Sequence, residues 1–216
     1  MITPSLEEFM KLTRQGNLIP VFEEIHYDLE TPISAFRKID DQKTSFLLES
    51  VEGGEKWGRY SFLGSGSSYL FRSKGKKFDI LRCGETIRQG EDQDPLRALE
   101  EFLSHYHPVQ HDNLPRFSGG AVGYLGYDVA RSFEKIPDRL REEVDLYDTS
   151  FMVTDTLLIF DNLKKKIKVV FNAFLDDGVP PEQAYQEAQD KIKSLIARLR
   201  APDLSPLRQG SSHPSQ

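Results

Sequence analysis

Cysteine is nearly missing from this chain: Cys83 stands alone among 216 residues. An internal disulfide and a cysteine-based zinc site are therefore excluded. Long apolar runs are also missing. Nothing approaches the roughly 20 apolar residues that span a bilayer, so no membrane association is expected. The first residues, MITPSLEEFMKL, are acidic where a signal peptide is basic, which makes the cytoplasm the expected location. There is no excess of positive charge. Twenty-eight Lys and Arg face 34 Asp and Glu, for a net charge of −6, which argues against a nucleic-acid surface. No Walker A loop, nucleophile elbow or paired Cys and His is present. No repeat at solenoid spacing occurs. The chain shows no self-sufficient active site.

What is present is enough to fold. Hydrophobic residues make up 38% and aromatics 11%. Thr3-Pro4 predicts an N-cap followed by Pro at the first helical position, and Ser5 with Glu8 fits a capping box. Gly16 ends this helix, and Ile19 to Tyr27 follows as an extended stretch. Thr31-Pro32 opens a second helix that carries Ile33, Phe36 and Ile39 inward. From Thr44 the period becomes strand-like. SFLLESVE and WGRYSFLG pair around Gly53-Gly54, SSYLFRS and KKFDILR pair around Lys74-Gly75, and ETIRQ follows. These predict one antiparallel meander from about 44 to 90. Asp94-Pro95 starts a third helix. TSFMVTDTLLIFD and KKIKVVFNAF form a hairpin around Asp161-Asn162. Pro180-Pro181 starts a last helix with the stripe Ala184, Tyr185, Ala188, Ile192, Leu195, Ile196 and Leu199. Strands interspersed with a few helices, without βαβ alternation, indicate α+β: largely antiparallel β-sheets packed with flanking helices. Residues 201–216 are rich in Pro, Ser and Gly and read as a linker, which suggests the first part of a longer chain.

Leu47-Leu48-Glu49-Ser50 carries the strongest chemical signal. Alternation puts Leu48 and Ser50 on one strand face and Leu47 and Glu49 on the other. A glutamate inside an apolar strand needs a cationic partner. Arg59 on the returning strand can be that partner, which is a structural role. A ligand ammonium can also fill it, with Ser50 addressing the ligand's carboxylate, which makes an amino-acid site. Ser118 to Asp128 is Gly-rich but reads as a strand whose glycines permit close backbone approach. His105, His107 and His111 lack metal-ligand spacing and belong to a solvated loop. Lys164-Lys165-Lys166 reads as a solvated, edge-protecting run.

Four segments in order, GNLIPVFEEI, LETPISAF, SFLLESVEGGEKWGRYSFLG and FSGGAVGYLGYDVARSFE, resemble the N-terminal domain of anthranilate synthase component I. The resemblance implies a regulatory domain over 1–200 and a linker over 201–216 toward a C-terminal chorismate-binding domain. The full-length subunit of that family converts chorismate and ammonia to anthranilate and pyruvate in tryptophan biosynthesis. A glutamine amidotransferase subunit supplies the ammonia. Magnesium and chorismate bind the C-terminal domain, so residues 1–216 are expected to hold no cofactor and to be inactive alone. The resemblance also implies a tryptophan feedback site. Leu48, Glu49 and Ser50 match its ligand-contacting strand. Its basic residue falls at Arg59, or at Tyr60 given a one-residue gap, and Pro20 matches a proline beside it. Two alternatives stand: the sister enzyme of folate synthesis, aminodeoxychorismate synthase component I, and a free-standing amino-acid-binding or docking module.

Overall fold

The computed structural model describes residues 1–27, 30–49, 58–132, 134, 146–175 and 178–202. Within them the architecture is α+β. One sheet has six strands in the order β1 (Ile2–Thr3), β2 (Leu18–His26), β11 (Lys166–Phe174), β10 (Thr156–Asp161), β4 (Tyr60–Ser65), β3 (Ser45–Leu48). The other has five, in the order β7 (Glu85–Glu91), β6 (Lys77–Arg82), β5 (Tyr69–Lys74), β9 (Thr149–Val153), β8 (Ala121–Leu125). Every pairing within the two sheets is antiparallel.

Helices α1 (Leu6–Leu12), α2 (Pro32–Ile39) and α4 (Pro181–Arg200) supply one side of the main core. All seven residues of the expected α4 stripe are buried, against Phe9, Ile19, Leu158, Phe160 and Val169 among others. The opposite face of the six-stranded sheet carries Phe22, Leu157, Ile159 and Val170, with Phe46, Tyr60, Phe62, Leu114 and Phe117 packed on them. Helix α3 (Leu96–Ser104) places Ala98 and Leu99 on Phe71, Phe78 and Ile80 of the five-stranded sheet.

Several expectations need correction. The Ser5–Glu8 capping box forms, but it places the N-cap at Ser5, and Thr3 is instead the last residue of β1. On α2, Ala35 and Ile39 face the core, whereas Ile33 is exposed. The meander from 44 to 90 is not one sheet. β3 and β4 pair in the six-stranded sheet, and β5, β6 and β7 pair in the five-stranded one. TSFMVTDTLLIFD likewise divides into β9 and β10, one in each sheet.

These two divisions have one physical cause. β4 pairs with β10 and β5 pairs with β9, so two neighbouring chain segments cross from sheet to sheet at the same seam. Asp155 ties the crossings together. Its buried carboxylate accepts from the Ser68 amide at 3.0 Å and from the Ser68 hydroxyl, and its backbone carbonyl accepts from the Asn172 amide at 2.7 Å. Burial pushes the Asp155 carboxyl above its usual value, and hydrogen bonds from Ser68 partly oppose this. Its Oδ1 has no hydrogen-bond partner among the described residues.

Candidate functional site

The sheet ladder fixes where the candidate residues lie. β3 ends with Leu48 opposite Phe62 of β4. Side chains alternate along each strand, so Leu48, Phe62, Tyr60 and Phe46 share the face opposite the helices. Leu48 is 47% exposed. Tyr60 and Phe62 sit with ring centroids 6.1 Å apart, and Phe117 meets Phe62 edge-on at 5.1 Å. All three rings are partly buried, which leaves a half-open aromatic wall at the end of the sheet.

Phe117 is held there from across the sheet. The buried Asn172 side chain donates to the Ser118 carbonyl at 3.0 Å and to the Thr154 carbonyl at 3.1 Å. Gly119 makes this possible, because a Cβ there would stand 2.6 Å from the Asn172 Nδ2. The Gly-rich segment then becomes β8, as expected of a strand needing close approach. A Cβ on Gly123 would lie 1.9 Å from the Ser150 carbonyl oxygen.

The charged residues do not form the expected Glu49–Arg59 pair. Glu49 lies just past the end of β3 and is exposed, not within an apolar strand. It makes no ion pair among the described residues. Arg59 pairs with Asp161 instead: Nη2 donates to Oδ2 at 2.7 Å and Nε to Oδ1 at 3.3 Å. Its guanidinium also lies 4.8 Å from the Tyr60 ring centroid. Burial pushes the Asp161 carboxyl up, but hydrogen bonds from Arg59 and the Lys164 amide outweigh this and leave it below its usual value. Burial raises the Tyr60 hydroxyl. Asp161, a turn residue by sequence, is the last residue of β10 and the partner of Arg59. Its register opposite Tyr60 comes only from the pairing of β10 with β4, which are a hundred residues apart in the chain.

Leu48, Tyr60, Arg59 and Glu49 thus gather at one end of the β3–β4 pair. Pro20 does not join them. It lies on β2 opposite Asn172, four strands from β3, or about 19 Å at a strand spacing of about 4.8 Å. Ser50 lies outside the described residues. A metal has no ligand set here, since no three His, Cys, Asp or Glu side chains cluster suitably among the described residues. No described helix is long and apolar enough to cross a membrane.

The chain's relatives carry the reading further. It is 40% identical over 197 residues to anthranilate synthase component 1 of Aquifex aeolicus, covering 91% of this chain and 39% of the relative. It is 37% identical over 195 residues to the protein of the same name from Acetivibrio thermocellus, covering 90% and 39%. The crystal structure of anthranilate synthase component I from Streptococcus pneumoniae TIGR4 superposes with a TM-score of 0.53 at 26% identity, over 82% of this chain and 36% of that one. The chain thus spans about two-fifths of the length of the relatives it matches. A family model described as chorismate binding enzyme matches residues 46–215, from β3 through the last helix and beyond, and this chain is a member of that chorismate-binding family.

Proposed function

We propose that this chain forms the N-terminal, tryptophan-sensing part of an anthranilate synthase component I. The whole subunit would convert chorismate and ammonia to anthranilate and pyruvate, with a glutamine amidotransferase subunit delivering the ammonia. Chorismate and magnesium would be held by polypeptide beyond the part that aligns with this chain. The described residues offer no cluster of three or more His, Cys, Asp or Glu side chains that could hold a metal.

The observation that carries the regulatory reading is the half-open aromatic wall beside two opposite charges. Leu48, Tyr60, Phe62 and Phe117 offer an apolar surface to an indole ring. Glu49 extends from the adjacent strand end without a described partner, suited to an ammonium. Arg59 gives Nε and Nη2 to Asp161, and its Nη1 makes no hydrogen bond among the described residues, suited to a carboxylate. Inhibition would follow if tryptophan bound one arrangement of this part and the chorismate-binding part better than another.

Two measurements test the proposal. L-Tryptophan titrated into the isotope-labelled chain should shift the amide resonances of Leu48, Glu49 and Tyr60, and L-alanine should not. Chorismate, ammonium and magnesium should give no anthranilate fluorescence with this chain alone. Unmoved resonances at millimolar tryptophan would reject the sensing role.

A further inference from the structure

The two sheets meet where β4 leads into β5 and β9 leads into β10, and a buried polar hub sits at that seam. Asp155 Oδ2 accepts from the Ser68 amide at 3.0 Å and from the Ser68 hydroxyl. The Asp155 carbonyl accepts from the Asn172 amide at 2.7 Å. The Asn172 side chain in turn donates to the Ser118 carbonyl at 3.0 Å. The Thr154 amide and hydroxyl donate to the Gly120 carbonyl at 2.8 and 3.0 Å. Ser118 to Gly120 directly follow Phe117, so the ring that meets Phe62 edge-on is anchored to this hub.

The carboxyl at the centre of the hub lacks a counter-charge. Asp155 is 5% exposed, and its Oδ1 has no hydrogen-bond partner among the described residues. Burial raises this carboxyl, Ser68 and the Thr156 and Asp155 amides oppose the rise, and no charged side chain is among these influences. The ionisable groups on the surrounding elements are engaged or distant. Arg82 of β6 lies over the Tyr69 ring of β5, and Tyr106 packs on the same ring. Lys168, four residues along β11 at about 13 Å, is bonded to Glu24 of β2. Asp161, six residues along β10 at about 20 Å, is paired with Arg59. Arg116, two residues before Ser118, is exposed, and Asp41, beside Gly66, accepts from the Lys43 and Thr44 amides. An unpaired charge costs far more to bury than an unpaired hydroxyl, so the neutral acid is the form that suits the closed seam. It keeps Oδ2 as the acceptor of both Ser68 bonds.

We infer that Asp155 is a proton-operated latch: the seam is closed while its carboxyl carries a proton, and loss of that proton loosens the seam together with the segment that holds Phe117. The sign is definite. The folded-state value lies above the unfolded one, so the contribution of Asp155 to stability is complete below about pH 4 and is lost as pH rises through the folded-state value. Asp161 responds in the opposite direction, losing its contribution as pH falls, so the two buried acids are separable by pH. The latch belongs to the fold of this chain and is read without any ligand.

Carbon and nitrogen resonances of the isotope-labelled chain, followed from about pH 4 to about pH 9, test this. The Asp155 Cγ resonance should titrate above about pH 4, the ordinary value for an aspartate. The amide resonances of Ser68, Ser118, Gly120 and Asn172 should move with the same midpoint. Asp155→Asn keeps the shape without the titration, so those amides should stay in place over the same range. Urea unfolding of the two proteins should agree near pH 4, and the unfolding constant of the wild type relative to Asp155→Asn should rise by at least about threefold toward pH 8. Ser68→Ala serves as a second variant if Asp155→Asn fails to fold. It removes the hydroxyl that donates to Oδ2, so it should move the Cγ midpoint still higher. A Cγ midpoint at or below about pH 4, as an ordered water feeding Oδ1 would give, would overturn the inference. So would amides that do not follow the Cγ titration, a Ser68→Ala midpoint that does not rise, or a stability difference that is the same at every pH.

Discussion

Replacing Arg59 by alanine tests the arrangement at the strand end most directly. Asp161 has a side chain only 3% exposed, and Arg59 supplies both of its charged contacts. Breaking a buried pair from one side costs about 3–5 kcal/mol, because the remaining charge is left without its partner. Two features reduce that figure here. The Arg59 side chain is 32% exposed, and the Lys164 amide still donates to Asp161 Oδ1 at 3.0 Å. A loss of about 2 kcal/mol at pH 7 is expected, or a thermal midpoint lower by about 4–8 °C for a chain of this size. The pH dependence carries a definite sign. In the wild type, the Asp161 carboxyl is held below its usual value, so its contribution is present above about pH 4 and fades as pH falls further. In Arg59→Ala, burial acts unopposed by the guanidinium and raises that carboxyl, so protonation relieves the variant first. The difference between the two proteins should therefore shrink as pH drops below about 5. Adding Asp161→Asn should recover about 1 kcal/mol. Urea unfolding at several pH values measures all of this. A difference under about 0.5 kcal/mol at pH 7, or one that does not change with pH, would refute the reasoning.

Three further outcomes are expected. In a protein that carries both this chain and the chorismate-binding remainder, Glu49→Gln should weaken tryptophan inhibition by about ten- to a hundredfold, and Ser50→Phe should abolish it, with turnover in the absence of tryptophan retained; inhibition curves at fixed chorismate read this. Glu24 accepts from Lys168 at 2.6 Å and from Lys166, and these bonds lower its carboxyl to about 2. Its contribution is complete above about pH 4.5 and lost as pH falls through about 2, so Glu24→Gln should cost about 1 kcal/mol at pH 7, after allowance for solvent screening, and nothing near pH 2, by denaturant titration. Gly123→Ala puts a methyl group into the Ser150 carbonyl and should detach β8 from β9, releasing protection at Val122 and Tyr124 in hydrogen exchange while leaving α4 protected.

Much of the fold is legible in the sequence because local chemistry agrees with it. The α4 stripe repeats at helical spacing over twenty residues, and every member of it is buried. Lys74-Gly75 marks a tight turn because Gly75 takes a positive φ there, and β5 and β6 pair around it. The strands on both sides of the seam were also recognisable. Their division between two sheets was not, because it depends on which strands become neighbours. Phe151 to Phe160 is apolar on both sides of Thr154-Asp155, and no Gly or Pro interrupts it. Only the partnership of Asp155 with Ser68, 87 residues away, shows where the chain changes sheets. A buried aspartate in an apolar stretch was the available signal, since such a group demands a partner.

The candidate site follows the same physics. The sequence premise for Glu49 is burial, since an acid beside leucines is costly to bury and needs a cation there. The premise failed, because β3 ends at Leu48 and leaves the carboxylate in solvent. The same demand applies to Asp161. It ends the apolar run Thr156 to Phe160 just as Glu49 ends Ser45 to Leu48, yet it is the one that is buried. What separates the two is position in the sheet. β10 lies between β4 and β11, so its last residue has neighbours on both sides, whereas β3 is an edge. Arg59, just before β4, meets the acid that cannot reach water. The exposed acid therefore has no structural need of Arg59, and Glu49 makes no ion pair among the described residues.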